Sequence, residues 1–392
     1  MHERAVHATN VFHYHHVIKA MHVAEFDPTL LGRWELDETA YSKFEGSRAV
    51  PTCVGSLVAR RRTRDLTEDV SVSGLGLAQL VAPLMARAPM IGMSGWQYRA
   101  VTRRYAARAA SVAHGARLVH PIEGLAHRLP DIDRKRLALV LERRNFHHAV
   151  FEQDIEAYGG FPSAVRRDPI GNLLDYEYEI ANKVVVSSDV ARASFINRGI
   201  NPDKVVTIPL PIAPAITSRN GVGSREFDSS QLLYVGRGEV YKGLDVAVEA
   251  VRLLGRPHRL IVAGPAPRRV QEWLKKKEHV EYLGICGRTT LENLYRSSRC
   301  LLLPSVESFG LVSFDATRLG LPVICRETTG ASQYLPPETV TVVQGRRPEV
   351  WAETIAKYEA VGIGARSDAS TDESSVVNRL ASVYEALVGL ME

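Results

Sequence analysis

A chain of 392 residues exceeds the roughly 250–300 residues at which a single hydrophobic core stops growing, so two domains are expected. Hydrophobic residues make up 45% and charged residues 24%, as in an ordinary globular protein. There is no apolar run of about 18 residues and no basic-then-apolar start, so neither a transmembrane helix nor a signal peptide is expected. The four cysteines are scattered, which predicts reduced thiols in a cytoplasmic protein.

The net charge of +5 is modest but unevenly distributed. Residues 48–108 contain ten arginines and only three acidic residues. Such a run is commonly a solvated face, and it would also suit an anionic acceptor, an anionic membrane surface or a protein partner. The sequence leaves these alternatives open. Nucleic acid is disfavoured, because no recognised nucleic-acid module and no interleaved aromatic residues accompany the charge.

Short apolar runs in the first half predict an α/β domain. The predicted strands cover residues 5–8, 70–72, 90–93, 117–119, 137–140, 183–187 and 205–208. Eleven of the thirteen histidines precede residue 150, and His13, His15 and His16 are nearly adjacent. These three lack the spacing and the partner ligands of a metal site. A loop is therefore predicted there, either lining a polar acceptor cleft or simply solvated.

The second half alternates strands and helices more clearly. The predicted strands cover residues 231–235, 259–263, 279–283, 300–303 and 322–325. Predicted helices cover residues 243–254 and 311–319, and a further helix is predicted to begin at Leu291 with Thr289 or Thr290 as its cap. This alternation predicts right-handed crossovers and a parallel sheet.

A Gly- and Ser-rich stretch without periodicity separates the two halves. We therefore predict an N-terminal domain over residues 1–212, a linker over residues 213–230 and a C-terminal domain over residues 231–372. The amphipathic residues 373–392 are predicted to form a last helix.

The loops after the predicted strands of the second half carry unusual residues, at the edge where open parallel sheets bind ligands. The first loop contains Gly236, Arg237 and Lys242 and opens a helix. Glycines let backbone approach a phosphate, a helix start supplies N–H donors, and two cations offset the charge of a diphosphate. Gly264 and Ile285 follow the next two strands, where backbone groups can meet a ligand. A solvated surface loop explains the first loop, taken alone, equally well.

The loop after the fourth strand of this half is the most informative. Glu307 lies in it, Gly310 opens the next helix, and Asp315 follows about one turn later. A carboxylate that accepts two hydrogen bonds is the usual way to hold vicinal hydroxyls. One acid can hold a sugar and the other a ribose, with a diphosphate between them at the helix start. A solvated or capping carboxylate explains either acid alone, whereas the joint pattern indicates a nucleotide-sugar site.

Residues 231–343 resemble glycosyltransferase family 4, a family of retaining enzymes with the GT-B fold. The resemblance is carried by the Val-Gly-Arg and Lys-Gly segment, the Ala-Gly-Pro turn, the Leu-Gly-Ile segment and the run Pro-Ser-Val-Glu-Ser-Phe-Gly-Leu that starts at Pro304. It implies an α/β protein of two Rossmann-like domains facing each other across a cleft. The N-terminal domain would bind the acceptor and the C-terminal domain the nucleotide-sugar donor, with residues 373–392 packing back on the N-terminal domain.

The resemblance also implies a role for each residue of the donor site. Arg237 and Lys242 would neutralise the diphosphate. Glu307 would contact the transferred sugar and Asp315 the ribose, although the family usually has Glu at the latter position. The main chain at Ile285 would contact the base. The other implied donor-binding residues are Gly236, Gly264, Ser308, Phe309, Gly310 and Leu311.

The resemblance is weaker in the first half. Family members usually begin with a strand and a Gly-Gly loop, whereas Thr9 and Asn10 follow the first predicted strand here. Many relatives place a histidine near the transferred sugar, which implies His120 as a catalytic residue and His147 as the next candidate. The predicted acceptor-binding residues are Asn10, His13 and His147.

The implied reaction moves a sugar from a UDP- or GDP-linked donor to a hydroxyl of an unidentified acceptor, with retention of the anomeric configuration. Glu307, Arg237, Lys242 and His120 would be catalytic, and neither a metal nor a cofactor beyond the donor is expected. A cytoplasmic location is expected, peripheral to the membrane if the acceptor is membrane-borne. Two alternatives stay open: a GT-B enzyme of another reaction type, such as a phosphorylase or an epimerase, and a non-catalytic nucleotide-sugar-binding subunit that supports a partner enzyme.

Overall fold

A computed structural model describes most of the chain. The described residues are 3–9, 15–32, 71–73, 103, 106–107, 109–129, 136–151, 157–162, 170–212, 228–358 and 371–391. Asn10, His13 and the strand predicted over residues 90–93 lie outside these ranges, as do most of the basic region and most of the predicted linker.

The first sheet has seven parallel strands in the order β3-β2-β1-β4-β5-β6-β7. These strands are β1 (Glu3–Thr9), β2 (Phe26–Gly32), β3 (Ser71–Ser73), β4 (Leu118–Pro121), β5 (Ala138–Glu142), β6 (Lys183–Val186) and β7 (Val205–Thr207). The strand order reverses between β1 and β4, and such a point opens a crevice at the carboxyl edge of a parallel sheet.

The second sheet has six parallel strands in the order β10-β9-β8-β11-β12-β13, which repeats the topology of the first. These strands are β8 (Gln231–Val235), β9 (Arg259–Ala263), β10 (Val280–Gly284), β11 (Cys300–Leu303), β12 (Val323–Arg326) and β13 (Val340–Val343). Here the order reverses between β8 and β11. The loops after these two strands carry Lys242 and Glu307.

Helices cover both sheets. They are α1 (His15–Val23), α2 (Gly171–Ile180), α3 (Asp189–Ile196), α4 (Leu244–Leu254), α5 (Arg268–Leu274), α6 (Arg288–Ser297), α7 (Leu311–Arg318), α8 (Pro348–Tyr358) and α9 (Glu373–Gly389). Leu139 and Leu141 of β5 pack in the core that α2 and α3 share, whereas Ala138 and Val140 pack in the core formed with α1 and α9. Both faces of the strand are therefore buried, as in other parallel sheets.

The α/β class and the parallel sheets predicted from the sequence are confirmed, and β8, β9 and β11 have the predicted bounds. The start predicted for the helix at Leu291 is wrong. Helix α6 begins at Arg288 after Gly287, which has no side-chain cap. The Leu291 amide already donates to the Gly287 carbonyl, and an ion pair of 2.9 Å between Arg288 and Glu292 supports this earlier turn.

The prediction of a loop at the first histidines is also wrong in part, since His15 and His16 begin helix α1. Val17, Ile18 and Met21 lie on one side of this helix and are buried against the first sheet. The neighbouring histidines conceal this apolar spacing in the sequence. Strand β2, which contains Pro28 and pairs with β1 along its whole length, was not predicted either.

Two segments cross between the two halves of the molecule. Helix α9 packs on α1, and its residues Val377, Leu380 and Tyr384 are buried in a core of the first sheet. Earlier in the chain, the Tyr158 amide donates to Asp245 Oδ2 at 3.1 Å and the Phe161 ring packs edge-on against Trp273. These contacts place residues 158–161 in the core of the second sheet, ahead of the predicted linker.

Candidate donor-binding site

The candidate site lies where the loops after β8 and β11 meet. Gly243 has a left-handed conformation (φ +71°), and a Cβ built on it would lie 2.1 Å from the Pro304 carbonyl oxygen. Only glycine therefore lets the two loops approach this closely. The Val306 amide donates to the Tyr241 carbonyl at 2.9 Å, which joins the loops through their main chains.

Lys242 and Glu307 form an ion pair between these loops, although they are 65 positions apart in the sequence. The Lys242 ammonium donates to Glu307 Oε2, and both side chains are partly buried, with 17% and 29% of their surface exposed. The main chain of Glu307 is held on both sides, because its amide donates to Thr328 and its carbonyl accepts from Gly330. The Glu307 carboxylate and the Lys242 ammonium are thus fixed together where the strands of the second sheet end, and both remain partly exposed to a ligand.

Helix α7 starts directly after this pair. Gly310, the residue directly before the helix, has a left-handed conformation (φ +87°) and no side chain that could cap the helix. The first N–H groups of an α-helix have no partner within the helix, and the helix dipole adds partial positive charge at that end. Such a start is suited to an anion.

Arg237 is the more exposed of the two candidate cations, with 56% of its side-chain surface open to solvent. Its guanidinium donates to the Tyr241 hydroxyl and lies 3.6 Å from Glu239. Gly236 and Gly264 lie beside it, and a Cβ on Gly264 would come within 2.0 Å of the Gly236 carbonyl oxygen. The turn after β9 therefore also depends on glycine for its close backbone approach.

The predicted base and ribose contacts lie on the same edge. Ile285 follows β10 and is 79% exposed, which is unusual for a large apolar residue. Leu311 and Asp315 are exposed on α7. Partial desolvation raises the pKa of Asp315 above its ordinary value, and Arg318 and Arg288 oppose that shift.

Ser308 and Phe309 differ from the other predicted donor-binding residues, because their side chains are buried. The Ser308 hydroxyl donates to the Arg144 carbonyl, and the Ser308 carbonyl accepts from Ser187 at 3.2 Å. Phe309 stacks on Phe314. The contacts of Ser308 thus tie the loop to the first domain, whereas the Phe309 ring packs inside the second.

His120 and His147 make their contacts inside the first domain and its covering helices. His120 is fully buried, and its Nδ1 lies 2.5 Å from the Tyr384 hydroxyl. His147 is also buried, and its Nδ1 accepts from the Ala149 amide at 3.3 Å. Burial lowers the pKa of His147 to about 4, with a further contribution from His148. Neither ring is exposed toward the Lys242–Glu307 pair.

A buried ionic cluster at the end of β5 was missed by sequence reasoning. Glu142 accepts from Arg144 at 2.9 Å and lies 3.8 Å from His16. Burial raises the pKa of Glu142, but Arg144 and two histidines outweigh burial and hold it well below its ordinary value. The only sequence signal was the run Glu-Arg-Arg directly after a predicted strand.

Among the described residues, one group of side chains converges as metal ligands do: His147, His148 and Asp175. Asp175 Oδ1 lies 2.6 Å from His148 Nε2 and 3.6 Å from His147 Nε2. Because His147 Nδ1 accepts a backbone hydrogen bond, its neutral ring carries the proton on Nε2, where a metal would need a lone pair. The group is therefore explained as a hydrogen-bonded cluster.

Two parallel sheets of the same topology, with glycine-fixed loops and an uncapped helix start at one edge, define an α/β protein of two Rossmann-like domains, a class whose ligands bind at such an edge. Residues 223–367 match the family described as glycosyl transferases group 1. This match covers the part of the chain that carried the resemblance, residues 231–343, and confirms that resemblance.

Several curated proteins are similar over part of their length. An uncharacterized glycosyltransferase of Methanocaldococcus jannaschii is 29% identical over 38% of this chain and 39% of that protein. D-inositol 3-phosphate glycosyltransferase of Xylanimonas cellulosilytica is 28% identical over 43% of each chain. The same enzyme of Mycobacteroides abscessus is 30% identical over 44% of this chain and 40% of the relative. The chain thus spans about two fifths of the length of these relatives.

Solved structures match over nearly the whole chain. Sucrose-phosphate synthase from Thermosynechococcus elongatus matches with a TM-score of 0.57 and 17% identity, covering 99% of this chain and 97% of that one. Anabaena HepE in complex with UDP and glucose matches with a TM-score of 0.51 and 14% identity, covering 100% and 95%. These likenesses concern the fold alone, and they confirm the predicted GT-B architecture. No helix in the described ranges is both long and apolar enough to cross a bilayer.

Proposed function

We propose that this protein is a retaining glycosyltransferase that moves a sugar from a nucleoside-diphosphate sugar, UDP- or GDP-linked, to a hydroxyl of an acceptor. The observation that carries the proposal is the Lys242–Glu307 pair, fixed beside the uncapped start of α7 at the point where the strand order reverses. Cation, carboxylate and helix start together match the charges of a sugar bound to a diphosphate.

In this proposal the leaving diphosphate is stabilised by three groups. Lys242 and Arg237 supply full charges and the first amides of α7 supply hydrogen bonds, so negative charge is balanced as the sugar–phosphate bond breaks. The pairing of Lys242 with Glu307 keeps the ammonium in place before the donor arrives, which reduces the reorganisation needed during reaction. No metal is required for this charge balance.

Glu307 and Asp315 would hold hydroxyl groups at the two ends of the donor. Glu307 is anchored through its own amide and carbonyl, so its carboxylate can hold the sugar at a fixed position. Asp315, on the first turns of α7, would hold the ribose, and the main chain at Ile285 would meet the base. Since Glu307 is engaged by Lys242, we propose front-face attack by the acceptor within one ion pair rather than a covalent intermediate.

The comparisons support UDP as the first nucleotide to test, since the Anabaena protein of similar fold was solved with UDP and glucose. They leave the acceptor open. The inositol phosphate in the names of two relatives is not carried over, because the matches cover less than half of each chain. The basic residues 48–108 keep an anionic or membrane-borne acceptor as an expectation.

The test is a thermal-shift panel with UDP, GDP, ADP and dTDP on the wild type, Arg237→Ala/Lys242→Ala and the control Lys275→Ala. Lys275 is an exposed lysine of the same domain, at the end of α5. A ligand at about 100 times its dissociation constant adds about 2.7 kcal/mol of stability. We expect one nucleotide to stabilise the wild type and the control but not the double variant. Equal stabilisation of all three proteins, or of none, would remove the donor site from this edge.

A further inference from the structure

Tyr241 borders both candidate phosphate-binding cations. Its hydroxyl accepts a hydrogen bond from the Arg237 guanidinium, whose central carbon lies 5.7 Å from the ring centroid. The Lys242 ammonium lies 5.5 Å from the same centroid. Both distances are within the range in which a cation is attracted to the face of an aromatic ring. One side chain therefore contacts the two charges that the proposed function assigns to the diphosphate.

Tyr241 also contacts the other domain. The Phe151 ring meets it edge-on, with 5.2 Å between the centroids and an interplanar angle of 74°. Phe151 ends the short turn His148–Phe151, which follows the loop after β5. The Tyr241 carbonyl accepts from Val306, next to Glu307. Tyr241 is thus held through its ring by the first domain and through its main chain by the loop that carries Glu307.

Arg237 depends on this ring for its orientation. More than half of its side chain is exposed, and the described charged group nearest to its guanidinium is Glu239 at 3.6 Å. A long exposed side chain of this kind samples many rotamers, and an affinity gain follows when a neighbour holds it in the bound conformation. Lys242 differs, because Glu307 also fixes it.

We propose that Tyr241 is a positioning residue of the donor site, which orients Arg237 and Lys242 toward the diphosphate and links their orientation to the first domain through Phe151. This inference rests on the proposed function, because it needs a diphosphate at that edge. It adds a residue that no charge or motif pattern in the sequence singled out.

The test is isothermal titration of UDP and UMP into the wild type, Tyr241→Phe, Tyr241→Leu and Phe151→Leu, each checked for an unchanged melting temperature. Tyr176→Leu is the matched control, since Tyr176 is an exposed tyrosine on α2. We expect UDP to bind about 10-fold more weakly to Tyr241→Leu and about 3-fold more weakly to Tyr241→Phe, which keeps the ring and loses the hydroxyl. The dissociation constant of UMP divided by that of UDP should be smaller in the Tyr241 variants than in the wild type, because the oriented cations of the wild type favour a diphosphate.

The link to the first domain is tested by a double-mutant cycle. Phe151→Leu should weaken UDP binding about 2- to 3-fold in the wild type and have little further effect in Tyr241→Leu. Equal losses for UMP and UDP, or unchanged UDP binding in both Tyr241 variants, would show that Tyr241 only packs and would overturn the inference. A wild type that binds neither these two nucleotides nor GDP and GMP, titrated in the same way, fails earlier, and that result rejects the proposed function itself.

Discussion

The two sheet edges that carry the candidate residues are built from similar residue types but in opposite ways. At the edge of the second sheet, Lys242 and Glu307 are partly exposed and are fixed by glycine-dependent loops. At the edge of the first sheet, Glu142, His120 and His147 are at most 5% exposed, and each of them lies against a polar or charged side chain. We therefore expect the accessible charges to meet a ligand and the charges buried with partners to stabilise the fold.

This difference changes how the histidines of the first domain are interpreted. The resemblance implied His120 and His147 as residues close to the reacting sugar, and both roles stay predictions. Their contacts with Tyr384, Ala149 and Asp175 give each of them a structural task. Substitutions at the two edges test whether they differ in this way.

The largest effect is expected at Glu307. Glu307→Gln keeps the shape of the side chain and removes the charge that pairs with Lys242 and would hold the sugar. We expect kcat to fall about 10²- to 10³-fold with little change in melting temperature, as when one transition-state hydrogen-bond group is removed. Glu353→Gln, at an exposed acid on α8, is the control and should keep full activity. Activity of Glu307→Gln within about twofold of the wild type would contradict the assignment of the donor edge.

Gly243→Ala should destabilise the same edge without touching a charge. Its added Cβ would meet the Pro304 carbonyl in addition to the cost of a left-handed backbone. We expect a loss of about 3 to 4 kcal/mol in the free energy of unfolding, measured by urea denaturation. Gly199→Ala is the matched control, because Gly199 also has positive φ (+84°) but has open space around its Cβ position. A similar loss in both variants would mean that backbone strain, not the approach of the loops, explains the effect.

Glu142→Gln tests the buried cluster of the first domain. We expect a loss of about 2 kcal/mol at neutral pH, because Arg144 loses its charged partner. The pKa of Glu142 is lowered by folding, so its contribution is complete above the ordinary carboxyl pKa and is lost as the pH falls through the lower folded value. The variant should therefore lose less stability than the wild type on acidification. Parallel curves of unfolding free energy against pH would reject the cluster as a source of stability.

The last effect is expected at His147 and appears only at acidic pH. Burial lowers its pKa from 6.5 to about 4, so the unfolded chain binds a proton in that interval and the folded chain does not. Stability should decrease as the pH falls from 6.5 toward 4, by an amount on the order of 2 kcal/mol. His147→Gln should reduce this dependence, and His258→Gln, at a partly exposed histidine, should keep it. An unchanged slope in His147→Gln would mean that the ring is accessible to protons in the folded state.

Much of the donor half was predictable, because its signals are local. The runs that form β8, β9 and β11 each end in glycine or proline, and a buried parallel strand needs only a short apolar run and a turn. The first half was less predictable, since His15 and His16 concealed the apolar spacing of α1. Strand β2 contains a proline, which weakens a strand pattern.

The sequence alone predicts the class of fold, the alternation of strands and helices, and the glycines and charged residues of the candidate loops, because each of these depends on neighbours close along the chain. Which side chains meet depends on the tertiary structure. Lys242 reaches Glu307 across 65 positions, the Ser308 hydroxyl contacts Arg144 across 164, and Tyr241 meets Phe151 of the other domain. Such pairs are selected by the packing of whole elements, and local residue patterns carry no record of it.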